Sequence, residues 1–540
     1  MRLNHSGRRT HGLTAVLVLV LGLCWSHGAL AQDDGEMTFD VEEVEEVKDA
    51  APVGKFLAEG EKYYDKKEYR QASIMFHKAK METDASADKF RPKAQYELAK
   101  SLSRLEVYQG AMEQFVEIVE EGEGHPYYEA TLSWLMLLSR KLPGAPDLLS
   151  HIGKYAPLYP ERVPEKFRDE LAYLLGRHFY KEADMEQALQ FFKRVSNSSE
   201  FFAEARYLEG ITHVRLYQAK PAVNSFKQVL GWVATQDLDE PEVKKLEQLS
   251  LLAMARTFYS VGQYEKAIKY YDFVGQDSPY WLDALFEESW TYFQLDRYNK
   301  ALGNLHTLNA PFFDDEYFPE SMILTAVVFF TNCQYERVRS IIQEDFELIY
   351  PPLRDQLQEI LDQYQDPVEF YHFLNQINEG EGEFDPRLNQ ILDAALTDQT
   401  LKRTLSYVAE LNKELELVEA SDPSWKDSEL GFELLQRLSE AQVFALQDAG
   451  KLSRSRFERV VSELNDLIKQ GKKILIETAK AESDALDQRV KDEQFVGKDP
   501  TAMKKGVDVD DEHVYWSFKG EYWRDELGYY LYDIKSECGR

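Results

Sequence analysis

The chain has 540 residues, with 95 Asp and Glu against 63 Lys and Arg, and a formal net charge of −32. Its length allows two to four domains. Its acidity repels phosphate backbones and anionic headgroups, which excludes nucleic acid and anionic membrane surfaces as general partners.

In chain order, Arg8 and Arg9 precede an apolar run from Leu13 to Trp25, and Ala29-Leu30-Ala31 follows. A basic start, a short apolar stretch and an A-x-A site predict a secretory signal peptide over 1–31, with the mature chain starting at Gln32. The apolar run is too short to span a bilayer, which takes roughly 20 residues. Two competing readings fit less well. In Leu21-Gly22-Leu23-Cys24 a large residue precedes the cysteine of a would-be lipid anchor, and Thr10-His11-Gly12 does not continue a twin-arginine pattern. Loss of Arg2, Arg8 and Arg9 with the leader takes the net charge to about −35. Residues 32–53 read as an acidic arm, disordered by itself.

From 54 to 350 the sequence repeats. In "GEKYYDKKEYRQASIMFHKA" a small residue, Gly60, is followed by Tyr63, Tyr69, Ala72, Phe76 and Ala79. In "ARTFYSVGQYEKAIKYYDFVGQDSP" the same slots hold Ala255, Phe258, Tyr264, Ala267, Tyr271 and Val274. The small residue of the second helix recurs at Ala72, Ala111, Ala188, Ala222, Ala267 and Ala301, with a weaker copy at Val338. The 77-residue step between Ala111 and Ala188 leaves room for a degenerate copy with Trp134 and Ile152. About eight helix pairs are expected, each too small to bury its apolar face alone, so that they stack.

After Pro351-Pro352 the period is lost, and 351–383 reads as an irregular helical continuation ending in a "GEGEFDP" linker. Apolar stripes at helical spacing then run through Leu401–Val418, Leu430–Ala445 and Phe457–Val490. With breaks at Asp422-Pro423-Ser424 and at Gly450, they predict three long helices over 384–495, as a bundle or hairpin. A coiled-coil dimer is the alternative. A second linker covers 496–513.

The end, 514–540, is dense in rings: eight of the eighteen residues from Tyr515 to Tyr532 are aromatic. Trp516 and Phe518 alternate with polar side chains as in an extended segment. Gly520 turns the chain, and Tyr522, Glu526 and Tyr529-Tyr530 fall at helical spacing. Trp516, Phe518, Trp523 and Leu527 would form a large apolar patch in water, so the segment is expected to dock on its own helices or on a partner. Cys333 and Cys538 remain after the leader is lost, and sequence separation alone does not decide whether they pair.

No phosphate loop, nucleophile elbow or H-E-x-x-H pattern is present, and no two of the eight mature histidines lie within four residues of each other. The expectation is therefore a non-enzyme without cofactor, metal site or catalytic residue, and without a transmembrane helix.

The small–aromatic–small–aromatic pattern resembles the tetratricopeptide repeat family. That implies an all-α fold: a helical-hairpin superhelix, here followed by a bundle or hairpin region and a short aromatic segment. In that family the first helix of each pair lines the concave side. The corresponding positions here are Lys100, Arg104, Arg177, Tyr180, Lys181, Arg215, Arg256, Tyr259, Trp290 and Phe293. Two readings stay open for the six bases. They hold an acidic or carboxylate-ended peptide, with the acidic arm as an internal competitor, or they pair with carboxylates of neighbouring repeats. The repeats together with "VYWSFKGEYWRDELGYY" resemble the envelope tetratricopeptide proteins of myxobacterial adventurous gliding motility, of the GltE/AglT type. This resemblance implies a periplasmic or outer-membrane-associated scaffold with envelope proteins as partners. The alternatives are an assembly factor for outer-membrane proteins or cell-wall synthesis, and an accessory to a wall-cleaving enzyme.

Overall fold

A computed structural model of the chain describes residues 52–83, 88–237, 240–313, 316–378, 388, 391, 399–493 and 520–538. The leader at 1–31, nearly all of the arm at 32–53 and the linker at 496–513 lie outside them. The fold is all-α among the described residues, built from tetratricopeptide-type helix hairpins followed by long helices and an irregular C-terminal segment. Contacts divide the chain into two compact units. The first comprises Met1–Tyr217, Asp366–Leu374 and Leu396–Ser453; the second comprises Gln218–Gln365, Asn375–Ala395 and Arg454–Arg540.

The first unit carries α1 (Pro52–Asp65), α2 (Tyr69–Met81), α3 (Arg91–Arg104), α4 (Tyr108–Glu121), α5 (Tyr128–Lys141), α6 (Leu148–Gly153), α7 (Glu165–Lys181), α8 (Met185–Arg194) and α9 (Phe202–Arg215). The second carries α10 (Ala219–Val233), α11 (Pro241–Ser260), α12 (Tyr264–Tyr271), α13 (Trp281–Gln294), α14 (Tyr298–Leu308), α15 (Pro319–Thr331) and α16 (Tyr335–Arg339). A π-helical turn, Ser340–Phe346, then leads into α17 (Glu347–Gln363).

The hairpins form for local reasons. Ala72, Ala111, Ala188, Ala222, Ala267 and Ala301 are fully buried, as are Phe76, Phe115, Phe192 and Phe226. Each alanine lets its two helices close up, and each ring fills the space beside it. A Cβ added at Gly60 would stand 2.5 Å from Phe76, and one at Gly176 would stand 2.5 Å from Phe192. Those glycines are therefore the sockets for the rings.

The turns share a feature that composition does not reveal. Lys67, Glu106, Asp147, Ala183, Tyr217, Gly262, Asp296 and Cys333 all have φ near +60 to +70°. Each stands five residues before the small residue of its second helix, including Ile152 in the degenerate copy. After six of them, all but Asp147 and Tyr217, the next residue donates its N–H back five positions, as from Asp184 to the Phe179 carbonyl at 2.9 Å and from Arg297 to the Tyr292 carbonyl at 2.9 Å. This six-to-one bond on a left-handed residue closes a helix C-terminus. Of the eight positions only Gly262 is a glycine, and each of the others accepts a left-handed cost of about 1–2 kcal/mol.

Helices α18 (Pro367–Asn378), α19 (Gln399–Glu419), α20 (Pro423–Lys426) and α21 (Glu429–Glu493) follow. In the first unit, α19, α20 and the start of α21 lie on the second helices of the first two repeats. The Trp425 indole donates to Ser73 Oγ at 3.0 Å, Tyr407 Oη donates to Gln109 Oε1 at 2.7 Å, and Leu434 packs over Gly110. The Leu430–Leu434–Leu438 seam is buried within the chain, so the coiled-coil alternative is not needed to cover it. In the second unit, Gly471 faces Ile323, Ile342 and Phe346, and Arg454 donates to the carbonyls of Leu361 and Tyr364 at 2.7 and 2.6 Å.

Two expectations are corrected. Gly450 does not break a helix, because α21 runs through it unbroken. A Cβ there would lie 1.8 Å from the Pro367 carbonyl oxygen, so the glycine serves a close approach, at a helix cost of about 1 kcal/mol. The helical spacing seen at Tyr522–Tyr530 does not make a helix either. Apart from one 3₁₀ turn at Arg524–Glu526, residues 520–538 are turns and irregular backbone. Gly528 at φ +86° breaks the run, and backbone groups of the segment find partners on the repeats instead.

Candidate protein-binding surfaces

The first-helix positions of the first unit set cations on rings. Lys100 Nζ lies 4.9 Å from the Tyr64 ring centre and 5.6 Å from that of Tyr96, and it bonds the Glu97 carboxylate at 3.0 Å. Burial raises the Glu97 carboxyl and Lys100 pulls it back down. The Arg104 guanidinium lies 5.8 Å from Trp134, whose indole donates to Tyr96 Oη at 3.1 Å and stacks on Phe115. Arg177 lies 5.5 Å from Tyr173, which stacks on Phe201. Arg215 lies 4.8 Å from Tyr180. Tyr180 is buried and its hydroxyl is raised by that burial, with Arg215 opposing; Lys181 beside it is exposed. Such cation–ring contacts are worth about 0.5–1 kcal/mol where water reaches them.

In the second unit the same positions are used differently. Arg256 on α11 makes a fork with Glu287 on α13, through Nε at 2.9 and 3.0 Å and Nη2 at 2.6 Å. Tyr271 Oη donates to the same carboxylate at 3.0 Å. Burial weakens the Arg256 charge, but the facing Glu287 wins and holds the guanidinium protonated. One turn away burial pushes the Asp283 carboxyl up to about 6. Tyr259, Trp290 and Phe293 are half-buried: Tyr259 meets Tyr264 at 5.5 Å, and Phe293 meets Trp290 at 5.8 Å and Tyr298 at 5.7 Å.

The two readings of the bases therefore divide residue by residue. Lys100 and Arg256 satisfy carboxylates of the chain itself. Arg177 and Arg215 rest on rings and have no carboxylate partner among the described residues.

At the C-terminus, Leu527 is 7% exposed, whereas Trp523 is 52% exposed. Trp516 and Phe518 lie outside the described residues. The docking contacts that the sequence did not signal are mostly backbone. Tyr532 N donates to the Asn299 carbonyl at 3.0 Å, Glu537 N to the Asn332 carbonyl at 2.9 Å, and Gly528 N to Thr307 Oγ1 at 3.0 Å. Gln276 and Gln334 donate to the carbonyls of Leu527 and Lys535 at 3.0 and 2.7 Å. His306 stacks on Tyr522 at 4.7 Å and meets the edge of Tyr530 at 5.1 Å. A Cβ at Gly303 would fall 1.7 Å from the Tyr530 carbonyl oxygen, so this glycine makes room for the strap. The strap ends in a Cys333–Cys538 disulfide with Cα atoms 5.1 Å apart.

Among the described residues no cluster of His, Cys, Asp and Glu is arranged to hold a metal ion, and no helix is long and apolar enough to cross a membrane. With this geometry established, the chain can be set beside known proteins. The tetratricopeptide repeat family model matches residues 250–272, the α11–α12 hairpin. No curated protein matches the chain significantly. Among solved structures, a tetratricopeptide repeat protein from Parabacteroides merdae aligns at 12% identity, covering 54% of this chain and 91% of its own, with a TM-score of 0.29. The apo form of RapI aligns at 14% identity over 67% of this chain and 98% of its own, with a TM-score of 0.33. Yeast Tom70 aligns at 14% identity over 82% and 99%, with a TM-score of 0.19. None of these likenesses bears on what this chain binds.

Proposed function

We propose that this chain is an exported protein-interaction scaffold of the bacterial cell envelope and a component of a gliding-motility machine. The observation that carries the interaction reading is the row of ring-supported cations in the first unit, above all Arg177 and Arg215. A chain of net charge −32 would neutralise such cations easily, yet these two have no carboxylate partner among the described residues. Stacked guanidinium groups are well placed to fork onto carboxylates of an extended segment. Export is supported by the leader pattern at 1–31, and the motility assignment by the resemblance of the aromatic end.

The binding test is capture from envelope extracts with the wild-type chain and with Arg177→Glu plus Arg215→Glu. Loss of the captured partners, with helical content unchanged by circular dichroism, supports the groove; unchanged capture refutes it. Export is tested separately by fractionation and N-terminal sequencing, which should find a mature chain beginning at Gln32 outside the cytoplasm. Motility proteins among the partners support the machine assignment. Barrel-insertion or wall-synthesis proteins in their place would overturn it.

A further inference from the structure

We propose that the C-terminal strap is a thiol-releasable latch: with Cys333 and Cys538 joined it covers the edge formed by α14, α15 and α16, and with both thiols free it lets go.

Three observations of the second unit combine. First, the non-covalent hold is thin. Over residues 520–538 only Leu527 is buried, while Trp523, Tyr529 and Leu531 face water. The other contacts lie at the surface: among them are backbone bonds to Asn299, Thr307 and Asn332, side-chain bonds from Gln276, Gln334 and Arg337, and rings laid on His306 and Phe329. Ordering a stretch of chain costs about 1–2 kcal/mol for each residue fixed, which one buried leucine and surface bonds offset only while the disulfide tethers the free end. Second, the bond that completes the hold is within reach of solvent. Cys538 is exposed, and Cys333 occupies the left-handed position at the tip of the α15–α16 turn, at φ +58°. The position matching Cys333 in the α11–α12 hairpin is Gly262, which has nothing within 4 Å. Third, the covered edge is shaped for a backbone that comes and goes. The Asn332 carbonyl is at the end of α15, where water can take over from Glu537 N, and Gly303 leaves a gap that holds only main chain.

Release needs a dithiol reductant. Its thiolate attacks Cys538 Sγ, the sulfur–sulfur bond breaks, and Cys333 leaves as a thiolate that takes up a proton. The second thiol of the reagent then attacks the mixed disulfide, closing an oxidised ring and freeing the Cys538 thiol. Two electrons and two protons pass from the reagent to the protein.

The test is hydrogen exchange on the full-length chain, read at the amides of Gly528, Tyr532 and Glu537, with buried amides of α11 and α13 as the internal control. Three samples are compared: the oxidised protein, the protein in dithiothreitol, and Cys333→Ser plus Cys538→Ser. The latch predicts at least about tenfold faster exchange at the three strap amides in both the reduced and the double-serine samples, with the helix amides unchanged. Equal protection in all three samples overturns it, because the strap then holds without the bond. Loss of protection in α11 and α13 as well overturns it too, because the bond is then a structural staple of the unit. Two free thiols by titration of the oxidised protein also overturn it.

Discussion

Gly303→Ala places a methyl group where the strap backbone now lies, 1.7 Å from the Tyr530 oxygen and 2.6 Å from its carbonyl carbon. Neither atom is the end of a flexible side chain, so the strap itself must move. Within α14 alone the substitution is favourable, since alanine in a helix interior gains about 0.8–1.0 kcal/mol over glycine. Against that stand the burial of Leu527, about 1.5–3 kcal/mol, and the bonds from Gly528 and Tyr532, about 0.5–1.5 kcal/mol each. Freed chain recovers conformational entropy, which trims the loss, so the full-length variant should be less stable by about 1–3 kcal/mol. In a chain ending at Lys519, with Cys333→Ser, the same substitution should stabilise by about 1 kcal/mol. Urea unfolding of the four proteins forms a cycle whose coupling term isolates the strap. A coupling below about 0.5 kcal/mol would refute the close approach of Tyr530 to α14.

Three further outcomes follow from the same geometry. The turn positions should respond to Cβ alone: Gly262→Val should lower stability by about 1–2 kcal/mol although nothing lies within 4 Å of Gly262, and Ala183→Gly should raise it slightly, by about 0.5 kcal/mol. Equal urea midpoints for the two variants would contradict this. Arg256→Ala strips Glu287 of its fork and should cost about 3 kcal/mol, while Arg215→Ala should cost under about 1 kcal/mol, measured in the same way; similar costs for both would be evidence against their different roles. Finally, Glu414 on α19 bonds Gln109 N at the start of α4 at 2.9 and 3.0 Å, and burial pushes its carboxyl up to about 8 against the pull of those amides. Even a helix-terminus field of about 2 kcal/mol, roughly 1.5 pH units, leaves it above the ordinary carboxylate range. With the folded value raised, its contribution is full below about pH 4.5 and is lost as pH rises through 8. Glu414→Gln should therefore flatten the fall in unfolding free energy between pH 5 and 8, and parallel curves for the two proteins would show that the carboxyl is not raised.

The repeats were legible because their signal is redundant: the same small residue and the same ring recur at fixed offsets, and any single copy could be degenerate without loss. What escaped was set by tertiary neighbours. Gly450 looks like a helix breaker until Pro367 is seen to occupy the missing Cβ space, and Gly303 carries no signal until Tyr530 is seen to occupy its own. Arg256 fits either reading of the groove cations until Glu287, on the next first helix, is seen opposite it. Tyr522–Tyr530 carries helical spacing, but Gly528 and the carbonyls of α14 and α15 offer its backbone a different set of partners. The turns escaped for a simpler reason. Seven of the eight left-handed residues are not glycine, so the usual sequence mark of that conformation is missing.

That last feature has a consequence for how such a chain can change. Because six of the eight tips are closed by main-chain bonds, the side chain at that position carries little of the packing. Lysine, glutamate, aspartate, alanine, tyrosine, glycine and cysteine all occupy it here. Tyr217 stands there 96% exposed, and Cys333 stands there as one half of a covalent bond. Each tip is thus an open address on an otherwise committed surface, where one codon can install a ring, a charge or a thiol while the helices behind it keep their register.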